Sequence, residues 1–350
     1  MQTITRKQYP SLDIMKFLMA LLIMLSHTQS EYALDGSTLL HYLLATSNLG
    51  VPFFFACSGF LFFSKIEQIG KDEQNAYYKK WSLRIGKMYL CWSTIYFIFV
   101  LYNWITKGAT GNDILSYIHK CLVSSTYPTI WFLPALWIGV TIAYFLYRKK
   151  VAINYIIILS MFLYAICSLG DSYSNVICSN NYIKEVWQWY VNTFMTFRNG
   201  LFEGFSFVSI GLILAVKDRK EMLSFNLCMS LLFCILYMGE SFLIKTQNLS
   251  PNTHSGYLLL PATFFVMRFL LDLRLPSRPI VLELRNLSMI IFLSQRLFLT
   301  AIMSVSPTYA SFVDKLDPYT TILFLDGLIM VFSLSMNYLS KRFSFLKLLF

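Results

Sequence analysis

Apolar runs of 17 to 22 residues recur along the whole chain, separated by short polar stretches. Ten can be marked, at 12–29, 42–63, 88–106, 128–147, 151–169, 199–216, 222–238, 255–272, 287–305 and 320–340. Each is close to the roughly 20 residues that a helix needs to cross the hydrocarbon core. Together they predict an all-α, polytopic membrane bundle forming one domain over 1–350, with both termini on the same side. Pro, Gly or polar residues interrupt several runs, which is tolerable where backbone faces a cavity or another helix. The stretches 107–127 and 170–198 contain the amphipathic pieces ILSYIHKCLV and VWQWYVNTFMTF. The second, with Trp187, Trp189 and Tyr190, reads as a helix lying in the membrane interface.

Basic residues set the expected orientation. With a cytoplasmic N-terminus, 20 of the 29 Lys and Arg fall in inner segments, including Arg6-Lys7, the 65–87 loop, Arg148 to Lys150 and Arg274 to Arg285. Cytoplasmic enrichment of this kind is the positive-inside pattern. It accounts for the formal charge of +11 without nucleic acid as a partner.

Composition agrees: 56% of residues are hydrophobic and 13% charged, against about 25% charged in soluble domains. A soluble globular protein is excluded. The first apolar run is long for a signal peptide and lacks a small-residue cleavage site, so it is expected to remain as a span. The seven cysteines have no metal-ligand spacing and read mostly as small core residues.

Against this background the polar residues inside spans carry the information. The stretch Ser11 to Ser30 holds Asp13, Lys16 and His27. On a helix, Lys16 and His27 share nearly one face, about 16 Å apart along the axis. Ionisable groups within a membrane helix mark working sites. His27 suits proton transfer. The same residues also suit a membrane-edge ion pair with an interfacial His. A second cluster, Lys79, Lys80, Arg84 and Lys87, fits either a topology signal or a binding site for a phosphorylated cytosolic ligand. In the second run Gly50, Pro52 and Ser58-Gly59 break an aromatic helix, as close backbone packing or a cavity requires.

These patterns together resemble the membrane-bound acyltransferase family 3. The family's D-x-x-R-x(10)-H helix appears as Asp13-x-x-Lys16-x(10)-His27, with Lys in the Arg position. Its G-V-P-x-F-F-x-x-S-G-F helix matches Gly50 to Phe60 closely. In its R-x-x-R-[IL]-x-x-x-Y motif the second Arg is Arg84, and Trp81 replaces the first beside Lys80. TIWFLPAL resembles the W-F-L segment and supplies Trp131 and Phe132. RNGLFEGFSFVSIGLILA resembles the R-N-x-L-F-x-G helix and supplies Arg198, Asn199, Glu203, Gly204 and Gly211. The segment usually ending Y-L-x-H reads Phe292-Leu-Ser-Gln295, so that His is absent.

The resemblance implies O-acylation, chiefly O-acetylation, of an extracytoplasmic sugar, glycan or glycolipid at a bacterial plasma membrane. Acetyl-coenzyme A, or another acyl-coenzyme A, is the implied donor, and no metal is implied. On this reading Arg84, Lys80 and Lys87 receive the donor phosphates and its arm threads along the Lys16 face. His27 activates the acceptor hydroxyl or carries the acyl group, with Asp13 orienting Lys16. Ser58, Trp131, Arg198, Asn199, Glu203 and Gln295 shape the acceptor side. Arg268 and Arg296 are expected to pair with acids such as Asp272, Asp326 or Glu203, or to meet anionic ligand groups. His41, His119 and His254 read as solvated or interfacial. A transporter or ligand-binding membrane module without acyl chemistry is the alternative, although no inverted repeat is evident.

Overall fold

The computed structural model describes residues 8–31, 46–217, 220–298, 300–301 and 318–350. His41, Arg6-Lys7 and the end of the predicted ninth span lie outside them. Every regular element among the described residues is helical. The main helices are α1 (Pro10–Glu31), α2 (Gly50–Ile66), α3 (Lys71–Lys107), α4 (Gly111–Val123), α5 (Phe132–Arg148) and α6 (Ile153–Asp171). They continue as α7 (Asn181–Phe194), α8 (Phe205–Val216), α9 (Leu223–Thr246), α10 (Leu259–Asp272), α11 (Pro279–Ser294) and α12 (Pro318–Ser340).

Seven helical stretches among the described residues are long and apolar enough to cross a membrane. They coincide with the predicted first to fifth, seventh and tenth spans. The sixth, eighth and ninth appear as the shorter helices α8, α10 and α11, of 12, 14 and 16 residues. A π-helical turn, Gly200–Gly204, leads into α8, so the apolar stretch Gly200–Val216 is helical but changes its winding part-way.

The 65–87 segment corrects the sequence reading. It is mostly the first half of α3, a continuous helix of 37 residues, rather than a loop. From Lys71 to Ile85 it contains no Pro or Gly, and Asp72 and Glu73 stand in its first turn, where the helix dipole favours acids. The polar face that looked like a loop in hydropathy is one side of an amphipathic helix.

The inner bundle is tied together by small residues. A Cβ at Gly59 would come within 2.6 Å of the Val208 carbonyl oxygen, and one at Gly211 within 2.3 Å of the Ala56 carbonyl oxygen. The α2 and α8 backbones therefore touch, gaining dispersion contact where no hydrophobic effect drives association. Gly139 and Gly204 do the same between α5 and the π turn. Around this pair α1 packs along α11, and α9 along α10. α4 and α7 are amphipathic, with no buried residue in either. They expose Leu115, Leu122, Val186 and Trp189, as interfacial helices do.

Candidate functional site

Two cavities lie on either side of one layer of the bundle. The larger has a volume of about 830 Å³ and is walled by α1, α2, α3, α5, α11 and the segment 344–350. Lys16, Lys65, Lys80, Arg84, Lys87, Arg285 and Lys347 line it, and among the described residues no acid does. Ser58, Asn286 and Ser288 add neutral polar groups. Leu61, Phe62, Trp81, Met88 and Leu136 supply apolar wall. Such a volume suits a whole ligand of drug size, and the charge suits a polyanion.

At its inner end Lys16 Nζ meets Asp13 Oδ1 at 3.0 Å. Both residues are only 7% exposed, so each charge depends on the other for compensation. The i, i+3 spacing on α1 brings them together. Trp81 is buried against Phe62, with ring centroids 5.1 Å apart. It lines the cavity, so the position where the family pattern has Arg here contributes a flat apolar surface.

The smaller cavity, about 60 Å³, is lined by Ile23 and His27 of α1, Val51, the Pro128–Trp131 turn, Phe292, Gln295 and Arg296. His27 thus faces the bundle interior. The Gln295 side chain is buried, and its Oε1 accepts no hydrogen bond from the described residues. An amide oxygen left bare in this way costs free energy unless a ligand or water meets it. Trp131 carries the site outwards: the Arg198 guanidinium lies 5.2 Å from its ring centre, within the range of a cation–π contact. Arg198 Nε also donates to Glu203 Oε2 at 3.1 Å. Glu203 is fully buried, and its other oxygen accepts no hydrogen bond from the described residues.

Between the cavities stand Phe54, Phe55, Phe132 and Phe292, each at most 1% exposed. Their rings interlock, with centroids of Phe54–Phe292 4.9 Å, Phe55–Phe132 4.6 Å and Phe132–Phe292 5.2 Å apart. Helix register puts them there. On α2, Val51 lines the smaller cavity and Ser58 the larger, two turns on. On α5 the corresponding residues are Trp131, just before the helix, and Leu136. The open path from the Lys16 face to His27 expected from sequence is therefore interrupted by an aromatic partition.

The structure brings Lys16, Ser58, Lys80, Arg84 and Lys87 to one cavity, and His27, Trp131 and Gln295 to the other. Arg198 and Glu203 stand behind Trp131 as an ion pair. Asn199 acts on its own backbone instead. Its Oδ1 accepts from the Leu201 and Phe202 amides at 3.0 and 3.1 Å, capping the π turn. Among the described residues Arg268 does not meet the acid expected for it; its Nη2 donates to the Lys220 carbonyl at 2.9 Å. Asp272 instead accepts from the Asn226 amide and the Met222 N–H, and Asp326 from Thr28 Oγ1. His254 is not merely solvated, since its Nδ1 lies 2.9 Å from Asn48 Oδ1. Arg285, Lys347 and Thr129 are lining residues that the sequence reading did not single out. Only the tertiary fold brings residues so far apart in the chain together.

A family model described as an acyltransferase domain matches residues 9–340. The chain belongs to this acyltransferase family. The match takes in α1 to α12, and so the whole lining of the smaller cavity and all of the larger except Lys347, Leu348 and Phe350. Among curated proteins the chain is similar to two amino-acid racemases of Enterococcus faecalis. One is 26% identical over 272 residues, 77% of this chain and 36% of the relative. The other is 24% identical over 267 residues, 75% of this chain and 37% of the relative. The chain thus spans little more than a third of their length. No solved structure matches.

Proposed function

We propose that the chain transfers an acyl group, most simply acetyl, from cytosolic acyl-coenzyme A to a hydroxyl of an extracytoplasmic sugar or glycolipid at the bacterial plasma membrane. One observation carries the reading: a basic cavity and a histidine-lined cavity face each other across a single aromatic layer. Lys80, Arg84 and Lys87 receive the donor phosphates, whose charge-assisted bonds are the strong kind. The thin pantetheine arm passes Lys16 and Ser58 and crosses the layer when its rings turn. His27 takes the proton of the acceptor hydroxyl as that oxygen attacks the thioester carbonyl. The carbon–sulfur bond breaks and the coenzyme A thiolate leaves, to be protonated by solvent. Gln295 and the Arg198–Trp131 pair position the acceptor.

The test is mass spectrometry of surface glycans from cells with the wild-type chain, without it, and with His27→Ala. A mass difference of one acyl group that needs both the chain and His27 supports the reading. Unchanged glycans in all three strains sink it.

A second reading is favoured by the relatives, which are named amino-acid racemases. On that reading the domain binds or moves an amino acid without acyl chemistry. Proteoliposomes that take up labelled amino acid while releasing no thiol from acetyl-coenzyme A would favour it over transfer.

A further inference from the structure

Of the seven basic residues of the larger cavity, Lys16 is paired with Asp13 and Lys65 stands alone on α2, and the other five come from α3 on one side and from α11 and the segment 344–350 on the other. Lys80, Arg84 and Lys87 share one helix, α3. Arg285 comes from α11 and Lys347 from the segment 344–350, two further elements that line the same cavity. Neither Arg285 nor Lys347 has an ion-pair partner among the described residues. The nearest acid in sequence to Arg285 is Glu283, and it is already engaged. Lys341 Nζ lies 2.6 Å from its Oε1, and Asn337 Nδ2 donates to its Oε2 at 2.5 Å. Those two contacts hold the Glu283 carboxyl below the usual carboxylate range, so it remains ionised and bound to Lys341.

Lys347 is held in place despite its exposed side chain. Trp92 Nε1 donates to the Leu349 carbonyl at 3.1 Å, and both residues are buried. Leu346 and Phe350 pack on the core on either side. The short 3₁₀ turn Ser344–Leu349 is thus fixed to α3 and α12, with Lys347 on the cavity side. Asn286 and Ser288 of α11 add neutral hydrogen-bonding groups to the same cavity.

Two separate sets of cations facing one cavity fit a ligand with two separate anionic groups. Coenzyme A has this chemistry: a diphosphate, and a phosphate on the ribose several bonds away. We propose that Arg285 and Lys347 form a second phosphate subsite that reads the ribose phosphate of the acyl-carrying nucleotide, while the α3 row holds the diphosphate. The inference rests on the acyl-coenzyme A reading above. It makes Arg285 and Lys347 determinants of donor specificity.

Dephospho-coenzyme A, which lacks only the ribose phosphate, isolates the effect. Equilibrium binding to the purified full chain in neutral detergent should favour coenzyme A over the dephospho form about tenfold, the size of one charge-assisted contact. Arg285→Gln and Lys347→Gln should each remove most of that preference, with dephospho-coenzyme A bound as before. Arg285→Lys should keep part of it. Arg84→Gln should weaken both nucleotides alike and leave the ratio intact. An unchanged ratio in the Arg285 and Lys347 variants overturns the subsite, as does equal loss of both nucleotides. Phosphatidylglycerol added to the detergent separates the other source of phosphate. If it displaces coenzyme A from the wild type but not from Arg285→Gln, while the nucleotide ratio of that variant stays wild-type, the pair is a lipid headgroup site and the proposal falls. A wild-type chain that binds neither nucleotide removes the acyl-coenzyme A reading and the subsite with it; binding with an unaltered ratio removes the subsite alone.

Discussion

Met289 and Phe292 stand one helical turn apart on α11, yet the first lines the basic cavity and the second the cavity of His27. On this helix the partition is about 4.5 Å thick. Phe292 also leans on both Phe54 and Phe132. α2, which carries Phe54, is fixed to α8 by backbone contact at Gly59 and Gly211.

Phe292→Ala is expected to join the cavities. Thiol release from acetyl-coenzyme A without acceptor should rise severalfold as water reaches the thioester. The fold should lose about 3–5 kcal/mol, as for other deleted core aromatics. Phe292→Leu should show smaller changes in both. Thiol release that stays at the wild-type level in a folded Phe292→Ala protein would mean the donor arm takes another path.

The two ends of the path should separate kinetically. His27→Ala should lower kcat by about 10²-fold or more with little change in the donor KM. Arg84→Ala should raise the donor KM about tenfold and leave kcat nearly unchanged, because phosphate binding acts equally on ground and transition states. Steady-state kinetics in which both variants alter both constants alike would contradict the division.

The Asp13–Lys16 pair makes a stability prediction. Removing one partner, as in Lys16→Met, strands a buried charge and should cost about 3–5 kcal/mol. The double variant Asp13→Asn with Lys16→Met should recover much of that loss. Lys16→Arg keeps the charge and should retain stability; whether it quickens turnover tests what Lys costs at this position. Thermal unfolding in detergent reads the first two, and turnover the third.

Close helix packing can be tested without touching the chemistry. A methyl at Gly211 would meet backbone atoms of Ala56 and Phe60 at 2.3 Å, whereas one at Gly239 meets nothing within 4 Å. Gly211→Ala should destabilise by about 1–3 kcal/mol or more. Gly239→Ala should be neutral or slightly stabilising, since Ala suits a helix better than Gly. Similar melting temperatures for the two variants would mean that α2 and α8 do not touch as described.

Much of this was legible in the sequence, for identifiable reasons. Apolar runs gave the helices because hydrocarbon demands continuous apolar surface, and α1 declared itself through Asp13, Lys16 and His27, which burial makes expensive. The i, i+3 pair followed from helical spacing alone. The first half of α3 was harder, because a helix with one wet side has the mean hydropathy of a loop. The partition was invisible because Phe54, Phe132 and Phe292 look like ordinary core residues until their helices are docked. Arg285 and Lys347 were missed as lining residues for a related reason: each cation reads as a topology signal until the docking of α11 and of 344–350 brings both to one cavity.

The basic cavity has Lys16 on its first helix and Arg285 on α11, 269 positions later. While the ribosome is still feeding the chain into the membrane, α1, α2, α3 and α5 are present but α11 and the segment 344–350 are not. The basic cavity is therefore enclosed only after α11 has been inserted and has packed along α1. A chain interrupted before that point lacks both Arg285 and Lys347, and the cavity stays open where α11 and the segment 344–350 would close it.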